Sequence, residues 1–253
     1  MKLPNKYYNF RRNILKTIVP EFIWPKSVQI EDVLFKIRNT PYSFGTKRCI
    51  VRGDYELPER TLLRDQIIEG DVIIEMGGSI GVLTALLASK TGEKGFVVSV
   101  EASKTLTQYS KTWLEQDNVK VITGYGFPVF KLDDTIKVVQ FDESQGSLGG
   151  SIRYEITERN ILAQELSEDI YDISRISELY NLQPTILMID VEGSENIILL
   201  QKPNFQKSIR TIIIELHPNC YTKEDHAMII EKIVNEGFIL KNQISSSYLF
   251  TRS

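Results

Sequence analysis

From Asp71 onward, short apolar runs alternate with helical stretches, and this alternation limits the fold more than any other feature of the chain. Residues 72–76, 95–101, 119–122, 185–190 and 210–216 read as strands, and so do 135–142 and 152–157. Residues 80–90, 103–116, 173–180, 195–200 and 222–236 read as helices between them, with Ser103 as an N-cap. Continuous apolar strands separated by helices predict a parallel sheet covered on both faces. Residues 238–240 and 248–251 close the chain as a paired, antiparallel edge. The expected fold is therefore α/β and Rossmann-like: a mostly parallel seven-stranded sheet with a C-terminal hairpin.

The first 53 residues lack this order. They mix basic side chains with Tyr7, Tyr8, Phe10, Phe22 and Trp24, and Pro4, Pro20, Pro25 and Pro41 prevent one long helix. We read 1–56 as a cap or arm of short helices and turns, and as a candidate contact between copies of the chain. The main domain is 57–253, opening with a helix over 57–69 that Gly70 stops. With 253 residues and 42% hydrophobic content, one core with an appended cap is affordable.

A net charge of -3 gives no excess of cations to neutralise phosphates, which argues against a nucleic-acid partner. Cys49 and Cys220 belong to no metal-ligand motif and read as free thiols. No run approaches the ~20 apolar residues of a membrane span. The basic opening lacks the apolar centre and cleavage site of a secretory leader. These features predict a cytoplasmic protein.

Four strand ends carry the chemistry. In open parallel sheets, ligands bind beyond the carboxyl ends of the strands, where strand order reverses. The first such end is Glu75-Met76-Gly77-Gly78-Ser79-Ile80-Gly81. Its glycines let the backbone approach a ligand closely. Its spacing is not G-x-G-x-x-G, and the acid before the glycines would repel a pyrophosphate. It suits a cation such as an aminoacyl sulfonium. The second is Val100-Glu101-Ala102-Ser103, which places an acid where ribose hydroxyls would be bound. Tyr125, after the third strand, is a further candidate cofactor contact.

The third end, Ile189-Asp190-Val191-Glu192-Gly193-Ser194-Glu195, brings three acids within six residues. Such a group needs a cation or hydroxyl donors. Glu192 and Glu195 could instead simply sit at a helix N-terminus, where acids are favoured. The fourth, Ile214-Glu215-Leu216-His217, puts an acid and a histidine on one side of an extended strand. A histidine near its ordinary pKa suits general-base work.

These segments resemble the FkbM family of methyltransferases, from about Tyr55 to Glu215. Gly53-Asp54-Tyr55-Glu56 is similar to the family's opening segment, and Met188-Ile189-Asp190-Val191-Glu192-Gly193-Ser194-Glu195 to its D-V-E-G-x-E block. Departures include Glu75 where aspartate is usual, Gly78-Ser79 for alanine-asparagine, Glu101-Ala102-Ser103 for Glu-Pro, and the Thr123–Gly126 exit. The resemblance implies a class I methyltransferase that uses S-adenosylmethionine. It also implies a sugar, glycan or polyketide-like hydroxyl as acceptor.

On that basis Glu75, Gly77, Gly78, Ser79, Gly81, Glu101, Ala102, Ser103, Tyr125 and Asp190 are the expected cofactor contacts. Asp190, Glu192 or His217 would take the acceptor proton, with Glu215 in an orienting role. The glycine-rich loop at 143–150 and the N-terminal arm would close over the acceptor. Asp190, Glu192 and Glu215 could hold a divalent metal, but no dedicated ligand set is visible in the sequence. Rival readings are an amine or other small-molecule acceptor, a nicotinamide-dependent oxidoreductase, and a non-catalytic binding domain on the same fold.

Overall fold

A computed structural model describes residues 20–40, 42–114, 117–131, 170–201, 203–217 and 220–252, together with the backbone of 136–142 and 151–156. The loop expected at 143–150 and the arm before Pro20 lie outside the described residues. The chain divides into two compact units between Leu57 and Pro58.

In the first unit, a two-stranded hairpin pairs β1 (Ser27–Ile30) with β2 (Val33–Lys36). Helix α1 (Phe44–Arg52) follows, capped by Ser43, which accepts the Thr46 amide. Gly53 ends α1 in the left-handed region, at φ +75°. The sequence predicts helices and turns here, and the hairpin departs from that. Its turn is Glu31-Asp32 with Glu31 at φ +48°, a position where glycine or asparagine normally announces a hairpin.

Helix α2 (Leu57–Leu63) starts at that boundary and opens the second unit from Pro58. This helix is shorter than the expected 57–69. Leu62 and Leu63 are buried, but Ile68 is 63% exposed, so the last turn has no apolar face to pack. Then come β3 (Val72–Met76), α3 (Val82–Thr91), β4 (Phe96–Glu101), α4 (Lys104–Leu114) and β5 (Val119–Thr123). Short β6 (Tyr125–Gly126) pairs with β9 (Ile170–Tyr171), and β7 (Ile136–Asp142) with β8 (Ser151–Ile156). The remainder is α5 (Ile173–Tyr180), β10 (Ile186–Ile189), α6 (Ile197–Leu200), β11 (Thr211–Glu215), α7 (Lys223–Asn235), β12 (Ile239–Ile244) and β13 (Ser247–Thr251).

Seven strands form one sheet in the order β5-β4-β3-β10-β11-β13-β12. β3, β4, β5, β10 and β11 are mutually parallel, and β13 runs against both its neighbours. β10 is buried at every residue, as a central strand covered on both faces must be. The order reverses between β3 and β10, so the crevice expected for a ligand lies at their carboxyl ends. Among the described residues no helix is long and apolar enough to cross a membrane.

The opposite end of the sheet is tied by charge. Asp71, 3% exposed, accepts two hydrogen bonds from Arg210, at 2.6 and 2.8 Å. It also accepts the Ile68 amide and the Thr185 hydroxyl, each at 2.8 Å. Burial alone would raise this carboxyl's pKa, but these donors outweigh it and hold the group below its ordinary value. Breaking one side of such a pair leaves the partly exposed Arg210 guanidinium unmatched. Asp71→Asn is expected to cost about 2 kcal/mol in urea denaturation at neutral pH, solvent at Arg210 reducing the loss. A depressed pKa contributes stability above its unfolded value and loses it as pH falls through the folded one. The deficit should therefore shrink below about pH 4, and a deficit that stays constant in acid would refute the assignment.

Candidate active site

β3 carries Glu75 and Met76 to the switch point, and the chain then turns through Gly77-Gly78-Ser79 towards α3. Gly77 has φ +92°, and a Cβ there would lie 1.7 Å from the Asp190 carbonyl oxygen. A Cβ on Gly78 would lie 1.9 Å from Ser99 Oγ. Both positions therefore demand glycine, and the turn is pressed against the end of β10. The Asp190 amide donates to the Met76 carbonyl at 2.8 Å and fixes the same junction.

Glu101, at the end of β4, is 9% exposed. Its Oε2 accepts the Ser79 amide at 2.8 Å and its Oε1 the Ser103 amide at 2.7 Å. A carboxylate has about four acceptor sites and can take ligand hydroxyls beside backbone amides. Ala102 lies between these contacts. The Gly124 amide donates to the Glu101 carbonyl at 2.9 Å, which sets the half-buried Tyr125 just beyond the end of β4. Gly81 opens α3 on the far side of the turn.

Glu75 is 1% exposed. Its Oε2 accepts the Thr84 hydroxyl at 2.5 Å, whereas Oε1 has no hydrogen-bond partner among the described residues. Burial, reinforced by the Glu101 charge and opposed by the Ser99 and Thr84 hydroxyls, pushes this carboxyl up to about 7. A buried acid with one unpartnered oxygen, beside a glycine backbone and a second strand-end acid, fits an amino-bearing cationic nucleoside such as S-adenosylmethionine.

A second group of acids adjoins this turn. After β10 the chain passes Asp190, Glu192 at φ +50° and Gly193 at φ +103°, then enters a 3-10 turn, Ser194–Asn196. Glu195 is fully buried. Its Oε2 accepts the Gly193 amide at 3.0 Å, and its Oε1 lies 2.8 Å from His217 Nδ1. His217, two residues past β11, is anchored by its own amide, which donates to the Tyr221 hydroxyl at 2.7 Å. Its Nε2 faces Glu192 Oε2 at 3.4 Å and Asp190 Oδ1 at 3.6 Å. Asp190 Oδ1 is sealed from solvent and has no hydrogen-bond partner among the described residues.

Glu215 accepts the Ser246 hydroxyl at 2.8 Å. Glu59 of α2 adds a carboxyl that the sequence reading missed: it is 3% exposed and takes a hydrogen bond from Ser247, the register partner of Glu215. The available signal was its position three and four residues before Leu62 and Leu63, on the buried face of the helix.

These charges act on one another. Burial, and then the Glu215 charge, holds the Asp190 carboxyl well above its ordinary value, with His217 opposing. Burial also raises Glu192, against the pull of His217. For His217, burial opposes the charged ring. The Glu195 hydrogen bond and the charges of Glu195, Asp190 and Glu192 outweigh it and push the imidazole up to about 10. The acids around His217 thus hold the ring towards its charged form. Asp190, Glu192 and His217 offer ligand atoms all within 4.8 Å of one another, so folding assembles a three-donor set that sequence spacing does not display.

His226 of α7 packs edge-on against Tyr248 and lies within hydrogen-bond distance of its hydroxyl, at 2.9 Å. Cys49 and Cys220 are both free and exposed.

The strand order, the antiparallel β13 and the acids at β3 and β4 define the class I methyltransferase fold. A sequence model of the family described as Protein-L-isoaspartate(D-aspartate) O-methyltransferase (PCMT) matches residues 59–149. The chain is 37% identical over 76 residues to the protein-L-isoaspartate O-methyltransferase of Thermotoga maritima, a match spanning 28% of this chain and 24% of that relative. Among solved structures, a TehB-like SAM-dependent methyltransferase from Corynebacterium glutamicum aligns at TM-score 0.45 and 11% identity, over 83% of this chain and 95% of its own. Aeropyrum pernix fibrillarin aligns at 0.42 and 13%, over 94% and 85%. The family match spans the Glu75 turn and Glu101 but stops before Asp190.

Proposed function

We propose that the protein is an S-adenosylmethionine-dependent O-methyltransferase of FkbM type, acting on a hydroxyl of a sugar or glycan. The observation that carries this reading is the junction of two acid groups through Gly77. Glu75, the glycine turn and Glu101 would hold the cofactor, and Asp190, Glu192 and Glu215 adjoin it from β10 and β11. Bound S-adenosylmethionine supplies a methyl group already activated on a sulfonium, so alignment can provide much of the acceleration.

An alcohol must also lose its proton as it attacks, and a carboxylate of the Asp190–Glu192 pair is placed to take it. Glu195 and His217 position these acids. The acceptor class follows from charge. The curated relative is named for an isoaspartyl acceptor, but a carboxylate brought here would meet the acids Asp190, Glu192 and Glu215. A neutral polyol finds acceptors instead.

Two measurements test this. Transfer of a radiolabelled methyl group to a panel of mono- and oligosaccharides should exceed transfer to an isoaspartyl peptide, and the reverse preference would overturn the acceptor assignment. Glu101→Ala should weaken S-adenosylmethionine binding in calorimetry by about 10- to 100-fold, the loss of a charged hydrogen-bonding group. Unchanged affinity would remove Glu101 from the cofactor site.

A further inference from the structure

We propose that Asp190, Glu192 and His217 bind a divalent metal ion at the acceptor end of the site; this rests on the methyltransferase reading above. Two features separate the trio from an ordinary patch of acids. The first is the orphaned Asp190 Oδ1, which is sealed from solvent, has no hydrogen-bond partner among the described residues and faces His217 Nε2. Its nearest cationic neighbour, His217 Nε2 at 3.6 Å, stands too far off to give it a hydrogen bond. The second is the spacing around Nε2. Glu192 Oε2 at 3.4 Å and Asp190 Oδ1 at 3.6 Å stand beyond the 2.7–2.9 Å of a charge-assisted hydrogen bond. They fall among the donor–donor separations, about 3.0 to 4.3 Å, created by a cation about 2.1 Å from each ligand.

The surroundings suit a metal-binding imidazole. Nδ1 lies 2.8 Å from Glu195 Oε1, and Glu195 is itself fixed by the Gly193 amide. A ligating histidine usually gives its second nitrogen's hydrogen to such a carboxylate, which fixes the ring and turns the other nitrogen's lone pair to the metal. Here that nitrogen is Nε2, and the metal would occupy the place of its proton. One imidazole nitrogen and two carboxylate oxygens suit a borderline-to-hard ion of the manganese kind, with positions left open for water and the acceptor. A bound ion would make an acceptor hydroxyl more acidic, and Glu192 would be at hand to receive its proton.

The test uses the full-length protein, with Mn2+ as the probe and electron paramagnetic resonance to count free ion. The parent should bind one Mn2+ per chain. Glu192→Gln and His217→Gln should each weaken that binding at least tenfold, while calorimetric affinity for S-adenosylmethionine stays within about twofold. Glu192 is partly exposed, so its variant leaves the core intact. Mn2+ binding that is absent, or equal in parent and variants, would overturn the metal site while the cofactor result stands. Loss of S-adenosylmethionine binding by the parent itself would instead overturn the methyltransferase reading.

Discussion

Raising the pH from 5 to 8 is expected to destabilise the cofactor-free protein, and Glu75→Gln to remove much of that loss. Glu75 is buried to 1% exposure, and its carboxyl is lifted from 4.5 to about 7. Between those values the folded protein holds a proton that the unfolded chain has released. Stability must then fall as pH rises through this window. At 1.36 kcal/mol per unit the loss is roughly 3 kcal/mol. Asp190, Glu192 and Glu59 are also raised, so only the difference between parent and variant isolates Glu75. Urea midpoints measured across this range would show it, and parallel curves would exclude the effect. Added S-adenosylmethionine should flatten the parent's curve, because a cationic amino group beside Glu75 favours its ionised form.

The second large effect concerns Asp190→Asn. The amide cannot take a proton and carries no charge for a cation or for His217. Methyl transfer should fall by about 10² to 10⁴, the range for losing a positioned general base. S-adenosylmethionine affinity should change only a few-fold, because the Asp190 backbone, which contacts the glycine turn, is retained. Turnover within threefold of the parent would remove Asp190 from the chemistry.

The parallel sheet was legible because its strands are unbroken apolar runs, and observed limits such as Val72–Met76 and Ile173–Tyr180 coincide with those read from pattern. The acids were legible because each ends such a run. Their mutual roles were not. His217 and Glu195 stand 22 residues apart, on different elements, and only the fold pairs them. Glu59 meets Ser247 across 188 residues, and its helix shows nothing beyond an acid beside two leucines. The β1–β2 hairpin escaped because Glu31 adopts a left-handed backbone without glycine's signature. Helix α2 was overextended because Ile67 and Ile68 keep the helical period without a surface to bury them.

The absence of a side chain at Gly77 leaves no adjustable spacer between the two strand ends it joins. Main chain meets main chain there, so the spacing between those strand ends is set by peptide geometry and cannot drift through rotamer changes. Divergence toward new acceptors is expected in the segments after β10, outside the matched residues 59–149.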